Sequence, residues 1–237
     1  MKQRAQFIAE QTDMVISECR KQRIDIPDTA EIALSKYIAK LMEWNTRFNL
    51  VSKGAIEFVG RRHILDSLSV LSAFQPENDA SMVDFGSGAG FPAIPLKIFR
   101  PDLRMTLVES RRKKTLFLKA MRDLLAFENF EVICDRIENV GIGDGVRDID
   151  GIVFDRVDFV TARAVASPVQ IGKLAIPFLK SNGKLVLFLG PNDSKEVEAI
   201  SQSLGTLGYV PLIVKRSPFA DMDFNIMVAM KTEQIDK

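Results

Sequence analysis

Three closely spaced glycines, Gly86, Gly88 and Gly90, interrupt the stretch Ser81 to Ile98, SMVDFGSGAGFPAIPLKI, between a short apolar strand and the start of a helix. Residues without a Cβ let the main chain approach a ligand closely, and a helix beginning just beyond aims free N–H groups at the same place. This is the layout of a nucleotide-type cofactor pocket. A Gly-x-Gly-x-x-Gly dinucleotide fingerprint is the first competing reading, because it too follows a strand and opens a helix. Here the spacing is Gly86-x-Gly88-x-Gly90, with Ser87 inside the turn and Phe91 where a third dinucleotide glycine would fall. The tighter form is typical of S-adenosylmethionine pockets, and a glycine-rich connection with no ligand is the plain alternative.

Two further positions extend the pocket. Glu109 closes the apolar run MTLVE about 20 residues beyond the glycines, where a strand-end carboxylate can accept hydrogen bonds from both hydroxyls of a ribose. After the next strand, CDRIENV places Asp135, Ile137 and Glu138 at a strand end facing the crevice, suited to the adenine edge. The same residues could equally be capping groups on a solvated turn.

These side chains need a parallel sheet to bring strand ends together. From Ser81 onward strand and helix signals alternate, as such a sheet with crossover helices requires. The pattern predicts strands at Met82 to Phe85, Met105 to Val108, Glu131 to Cys134, Phe159 to Thr161 and Lys184 to Leu189. It predicts helices at Phe91 to Phe99 with Pro92 in the first turn, Lys113 to Ala126, Pro168 to Leu179 and Ser194 to Leu207. Tyr209 to Val214 and Asn225 to Met230, separated by SPFADMD, suit an antiparallel pair at the end of the sheet. The first third reads as helical: residues 3 to 23, a second helix after Pro27, Asp28 and Thr29 as break and cap, an interruption at Asn45, Asn49 and Ser52, and a resumed stripe in RRHILDSLSVL. The expected organisation is a helical extension over 1–76 and a cofactor domain over 77–237.

Composition narrows the classes. With 237 residues, 46% of them hydrophobic and a formal net charge of +1, the chain has enough apolar material for a full core and lacks the overall basic field of a nucleic-acid coat protein. Cys19 and Cys134 lie far apart, in neither a disulfide framework nor a metal spacing, which suits the cytoplasm. No apolar run reaches the roughly 18 to 20 residues of a membrane span, so neither a membrane nor a metal is expected.

Taken together, VDFGSGAGFPAIPLKI, the upstream WNTRFNLVSK and RRHILDS, and the downstream LVESRRKKTLFL and TARAVAS resemble the bacterial glucose-inhibited division protein B family, the 16S ribosomal RNA guanine-N7 methyltransferases. The resemblance runs from about Trp44 to Ser167. It implies an α/β, Rossmann-like class I methyltransferase fold, with a mostly parallel seven-stranded sheet and a helical amino-terminal extension, using S-adenosylmethionine and acting on 16S rRNA or the small ribosomal subunit; a monomer is the expected state. Carried over by position, it implies cofactor contacts at Gly86, Ser87, Gly88 and Phe91, a ribose ligand at Glu109, an adenine-side pair at Ile137 and Glu138, and Arg163 of TARA beside the methyl-transfer site, both as a further cofactor contact and as the catalytic residue. Arg163 could alternatively pair with Asp155, Asp158 or Glu138. His63 and Asp66 match the family motif and could line the pocket rim, or serve as structural hydrogen-bonding groups.

Guanine N7 carries a lone pair and no proton, so methylation there asks for proximity, alignment and a dry approach rather than a general base. A chain with one histidine, no Asn-Pro-Pro-Tyr or Asp-Pro-Pro-Tyr segment and no cysteine following a proline agrees with this. Arg61, Arg62, Arg111, Arg112, Lys113, Lys114, Lys119 and Arg122, joined by Lys97, Arg100 and Arg104, offer an RNA-facing patch, with a solvated helix face as the alternative. The chain departs from the family pattern at Ala93, at Leu189-Gly190 where a Lys-Gly pair is usual, and at Asp223 and Asn225. Those positions leave open a different RNA or small-molecule acceptor, or a non-catalytic cofactor-binding assembly factor.

Overall fold

The computed structural model describes residues 2–141, 155–190, 196–219 and 224–232. Seven strands form one sheet: β1 (Ser81–Phe85), β2 (Arg104–Val108), β3 (Phe130–Ile133), β4 (Val157–Ala162), β5 (Leu179–Leu189), β6 (Tyr209–Arg216) and β7 (Asn225–Lys231). Their order is β3-β2-β1-β4-β5-β7-β6. The first five run parallel; β7 enters antiparallel between β5 and β6. The expected antiparallel pair is therefore present, with the later strand inside and the earlier one at the edge. Strand order reverses between β1 and β4, the crevice where open α/β sheets bind ligands.

Alternation along each strand divides the core between two helical layers. Met82, Met105, Leu107 and Phe159 face the layer that contains α1 (Lys2–Lys21), α2 (Ala30–Phe48), α4 (Asp66–Ala73), α5 (Ala93–Phe99) and α6 (Arg112–Leu124). Val83, Phe85, Val108 and Val160 face α7 (Pro168–Ala175) and α8 (Val197–Gly205). Leu34, Ile38 and Leu41, on one stripe of α2, are fully buried. Each contributes about 2 kcal/mol by leaving water, so docking rather than intrinsic propensity holds the helix in place. Cys19, on α1, is buried in this layer, where burial pushes its thiol up to about 12.

Several local expectations shift. α2 continues through Asn45, whose side chain accepts the Val51 N–H at 2.9 Å, and stops only at Asn49 with φ +44°. Thr29 occupies the N-cap position with helical dihedrals and makes no capping bond with its side chain. α5 begins at Ala93, so Pro92 precedes the first turn rather than lying in it. α7 ends at Ala175 and passes through a 3-10 turn into β5, which starts at Leu179. Its start is well fixed, since Ser167 and Gln170 form a capping box and Pro168 opens the helix. Between the short α3 (Lys53–Ile56) and α4 lies a π-helical turn, Gly60–Leu65, that no sequence period announced. The expected helix start at Ser194 lies outside the described residues. Among the described residues no helix is long and apolar enough to cross a membrane, and no group of three or more His, Cys, Asp or Glu is placed to hold a metal.

Candidate active site

The carboxyl ends of β1 to β4 form the mouth of the site. At β1 the chain turns through Gly86, Gly88 and Gly90 with φ of +66°, +59° and +94°, conformations that L side chains rarely adopt. Main-chain bonds pin the turn: the Gly86 N–H donates to the Val108 carbonyl at 2.8 Å, and the Gly90 N–H to that of Ser87 at 2.7 Å. A Cβ at Gly90 would lie 2.3 Å from Ile94 Cδ1, so that glycine serves helix packing. At Gly88 a Cβ meets nothing nearer than 3.7 Å, the closest atoms being the Gly86 carbonyl oxygen and Lys114 Nζ. Gly88 is the cradle of the turn. Ser87 is buried and turns its hydroxyl back to the Asp84 carbonyl at 3.2 Å.

Glu109 stands beside this cradle. One carboxylate oxygen accepts the Gly88 N–H at 2.9 Å and the other the Arg111 N–H at 2.8 Å, and the residue is buried. Ile137 and Glu138 lie after β3 in a 3-10 turn; Ile137 packs against the core while Glu138 is exposed. Asp135 is spent on that turn, accepting from the Arg136 N–H at 2.6 Å and the Asn139 side chain at 2.8 Å. Asp135 thus braces the turn without capping it, since the turn has Arg136 at its N-cap and no side-chain capping bond.

Sequence reasoning missed Asp84, the penultimate residue of β1. It is fully buried; Oδ1 accepts the Thr161 hydroxyl at 2.7 Å across to β4, and Oδ2 has no hydrogen-bond partner among the described residues. Burial pushes its carboxyl up to about 7 against the pull of the Ser87 and Thr161 hydrogen bonds. The available signal was an acidic residue inside an otherwise apolar strand. Tyr37 was also missed: its buried hydroxyl donates to the Ala89 carbonyl at 2.7 Å and ties α2 to the glycine turn.

Arg163 follows β4 on the other side of the switch point. Its partner is none of Asp155, Asp158 and Glu138. The guanidinium pairs with the Asp66 carboxylate and donates to the carbonyls of Arg62 at 2.8 Å and His63 at 3.4 Å. Asp158 is engaged elsewhere, by Ser81 and Lys180. The guanidinium also lies 5.7 Å from the Phe188 ring centroid. Burial pushes the Asp66 carboxyl up to about 6, with the Arg163 charge opposing. His63 stacks on Phe91 at 4.9 Å, and Phe91 in turn meets Tyr37 edge-on at 5.7 Å. Burial, with the charges of Arg163 and Arg62, pulls the His63 imidazole down to about 4, so it is neutral near pH 7. The segments around Tyr37, Arg62 and Gly88 thus converge: the helical segment supplies a roof that Phe91 supports and Arg163 clasps.

The basic residues separate. Arg111, Arg112 and Lys113 are exposed at the start of α6, next to Glu109. Lys97 is buried and donates to the Pro101 and Leu103 carbonyls, Arg100 pairs with Asp102, and Arg104 opens β2 at the amino ends of the strands, opposite the mouth. These three hold the far end of the fold together and do not extend the patch at the mouth. Leu189 is fully buried in the core, and Asp223 lies outside the described residues.

The family model for GidB, rRNA small subunit methyltransferase G, matches residues 31–220. A ribosomal RNA small subunit methyltransferase G from Dictyoglomus thermophilum is 37% identical over 73% of this chain and 69% of its own length. One from Alkaliphilus metalliredigens is 31% identical over 94% of this chain and 92% of its own. In fold, the chain is similar to a SAM-dependent methyltransferase from Aquifex aeolicus, with a TM-score of 0.55 at 14% identity, covering 82% of this chain and 98% of that one. The glycine turn, the strand-end glutamate and the clasped arginine therefore sit in a chain that belongs to the GidB family, rRNA small subunit methyltransferase G.

Proposed function

We propose that this protein transfers a methyl group from S-adenosylmethionine to N7 of a guanine in 16S ribosomal RNA. The observation that carries the reading is the Gly88 cradle bonded to Glu109 at the β1/β4 switch point, within the span of the family match. The residues present fit the cofactor: an open glycine where a Cβ would intrude, a strand-end carboxylate with lone pairs beyond those its two N–H partners use, and a buried acceptor at Asp84 Oδ2 behind the turn. Gly86, Ser87, Gly88 and Phe91 form the first loop that would hold it, Glu109 receives the ribose, and Ile137 with Glu138 borders the adenine.

When bound, S-adenosylmethionine supplies an electrophilic methyl on its sulfonium. The protein's part is to align the acceptor and keep water out, because guanine N7 has no proton to lose. A neutral His63 packed against Phe91 suits a wall of the site rather than a base. Arg163 is held by Asp66 and two main-chain carbonyls, which supports its proposed role of orienting the acceptor. Residues 1–76 act as the roof and 77–237 as the cofactor domain, in a monomer working in the cytoplasm. Of the departures from the family pattern, Leu189 points into the core and presents no group to an acceptor.

The test is methyl transfer to small subunits purified from cells lacking the protein, followed by nucleotide mapping. The expected result is stoichiometric methylation at one guanine N7. Label appearing at another atom, or only in a non-ribosomal acceptor, would replace this reading.

A further inference from the structure

Beside Arg163 the rim carries a ring and a cation that cofactor binding does not use. Phe58, between α3 and the π-helical turn, is 46% exposed, and the Arg62 guanidinium carbon lies 5.0 Å from its ring centroid. The pair is wired to the site: the Phe58 carbonyl accepts the Arg62 N–H at 2.8 Å, and the Arg62 carbonyl accepts Arg163 Nη2 at 2.8 Å. Among the described residues, Phe58 and Phe48 are the only aromatic side chains this exposed. Phe48 lies on the Glu109 side, under Lys113 at 5.5 Å. A lone exposed apolar side chain needs no explanation. A phenyl ring under a guanidinium, one residue removed from the group that meets the acceptor, has the composition of a base-stacking, phosphate-binding element.

Chemistry on a base inside folded RNA adds a reason for such an element. A base drawn out of its stack towards the methyl donor loses stacking in the RNA, and that stacking can be regained on the protein. We infer that Phe58 and Arg62 form a platform on which a nucleobase of the RNA acceptor stacks at the entrance to the methyl-transfer position, with Arg62 pairing to that nucleotide's phosphate. The inference rests on the ribosomal RNA reading above.

The experiment uses the full chain and small subunits from cells lacking the protein, measuring equilibrium subunit binding, methyl-transfer kinetics and calorimetric S-adenosylmethionine affinity. Phe58→Ala is expected to weaken subunit binding and raise KM about tenfold, with cofactor affinity unchanged. Phe58→Tyr should restore both and Phe58→Leu should not, since stacking needs a π face. Arg62→Gln should weaken binding and flatten its salt dependence. The platform is overturned if Phe58→Ala binds and turns over like wild type, if Phe58→Leu is as good as Phe58→Tyr, or if Phe58→Ala loses cofactor affinity in step with subunit affinity. Wild type that binds subunits through Phe58 yet transfers no methyl would overturn the proposed reaction and leave the platform standing.

Discussion

On the Glu109 side of the mouth, the groups that define the site are main-chain N–H groups, glycines with positive φ and a carboxylate bonded to residues 21 positions before it and 2 after it. On the Arg163 side they are a side-chain ion pair and two carbonyls, all reached across 97 to 101 residues of chain. The first side is a local backbone shape that ordinary side-chain changes cannot easily erase. The second exists only once the helical roof has docked, and one substitution can dismantle it. A constant methyl donor and an acceptor held within a large RNA make different demands, and under the proposed assignment the two constructions answer them separately.

The largest expected effect comes from breaking the Arg163 side. Arg163→Ala should lower kcat by about a hundredfold or more through loss of alignment, with S-adenosylmethionine affinity within about threefold of wild type. Pairing it with Asp66→Asn removes the carboxylate that the single variant leaves buried without its cation, so that thermal unfolding separates lost chemistry from lost fold. Full activity in either folded variant would remove Arg163 from the reaction.

Next comes the opposite side. Gly88→Val should weaken cofactor affinity by more than tenfold, while the left-handed main chain costs only about 1–2 kcal/mol of stability. Unchanged calorimetric affinity in the folded variant would take the cradle out of the pocket. Gly90→Ala sharpens the contrast, because its Cβ collides with Ile94: about 2–3 kcal/mol of stability should go, whether or not cofactor is added.

The pH dependence of turnover probes the clasp. Asp66, pushed up to about 6, gains a proton as the pH falls through that value, and Arg163 loses its ionic partner. A several-fold drop in kcat below about pH 6 is expected for wild type, and a flat profile over the same range for Asp66→Asn. An unaltered profile in the variant would assign the drop to another group.

An effect on stability alone is expected at Asp84. Its native carboxyl sits near 7 and an unfolded aspartate titrates in the ordinary range, so between about pH 4 and 7 the unfolded chain gives up a proton that the native state keeps. This group's contribution to stability therefore falls as the pH rises through that window. Asp84→Asn should remove that slope, raising thermal stability relative to wild type more at pH 7.5 than at pH 5.

Legibility in the sequence follows the same division. The strands were readable to within a few residues for all but the start of β5, because apolar runs bounded by turn residues carry their own period. The glycine turn was readable because positive φ has few other solutions. Arg163 was reached through the family resemblance of TARA, supported by its place at a strand end, but its partner was not, since nothing in TARA points to Asp66 nearly a hundred residues earlier. Asp84 was hidden because an acidic residue in an apolar strand looks like an error in the pattern until its burial is seen. Lys97, Arg100 and Arg104 were misplaced for a related reason: closeness along the chain to the glycine turn suggested the mouth, whereas α5 carries the chain to the amino ends of the strands, away from it.

The position of β7 has a consequence in time. β6 is made before β7, yet β7 is its neighbour in the sheet and also closes the free side of β5. Whenever β7 is unpaired, both strands present open edges, and β6 also exposes Val210, Leu212, Ile213 and Val214. Unpaired edges of that kind invite pairing with another chain. Pro211, which contributes no N–H, blunts β6 in that state. Docking of seven residues, Asn225–Lys231, closes both edges in one step, so the time before β7 docks is when the chain is most exposed to aggregation.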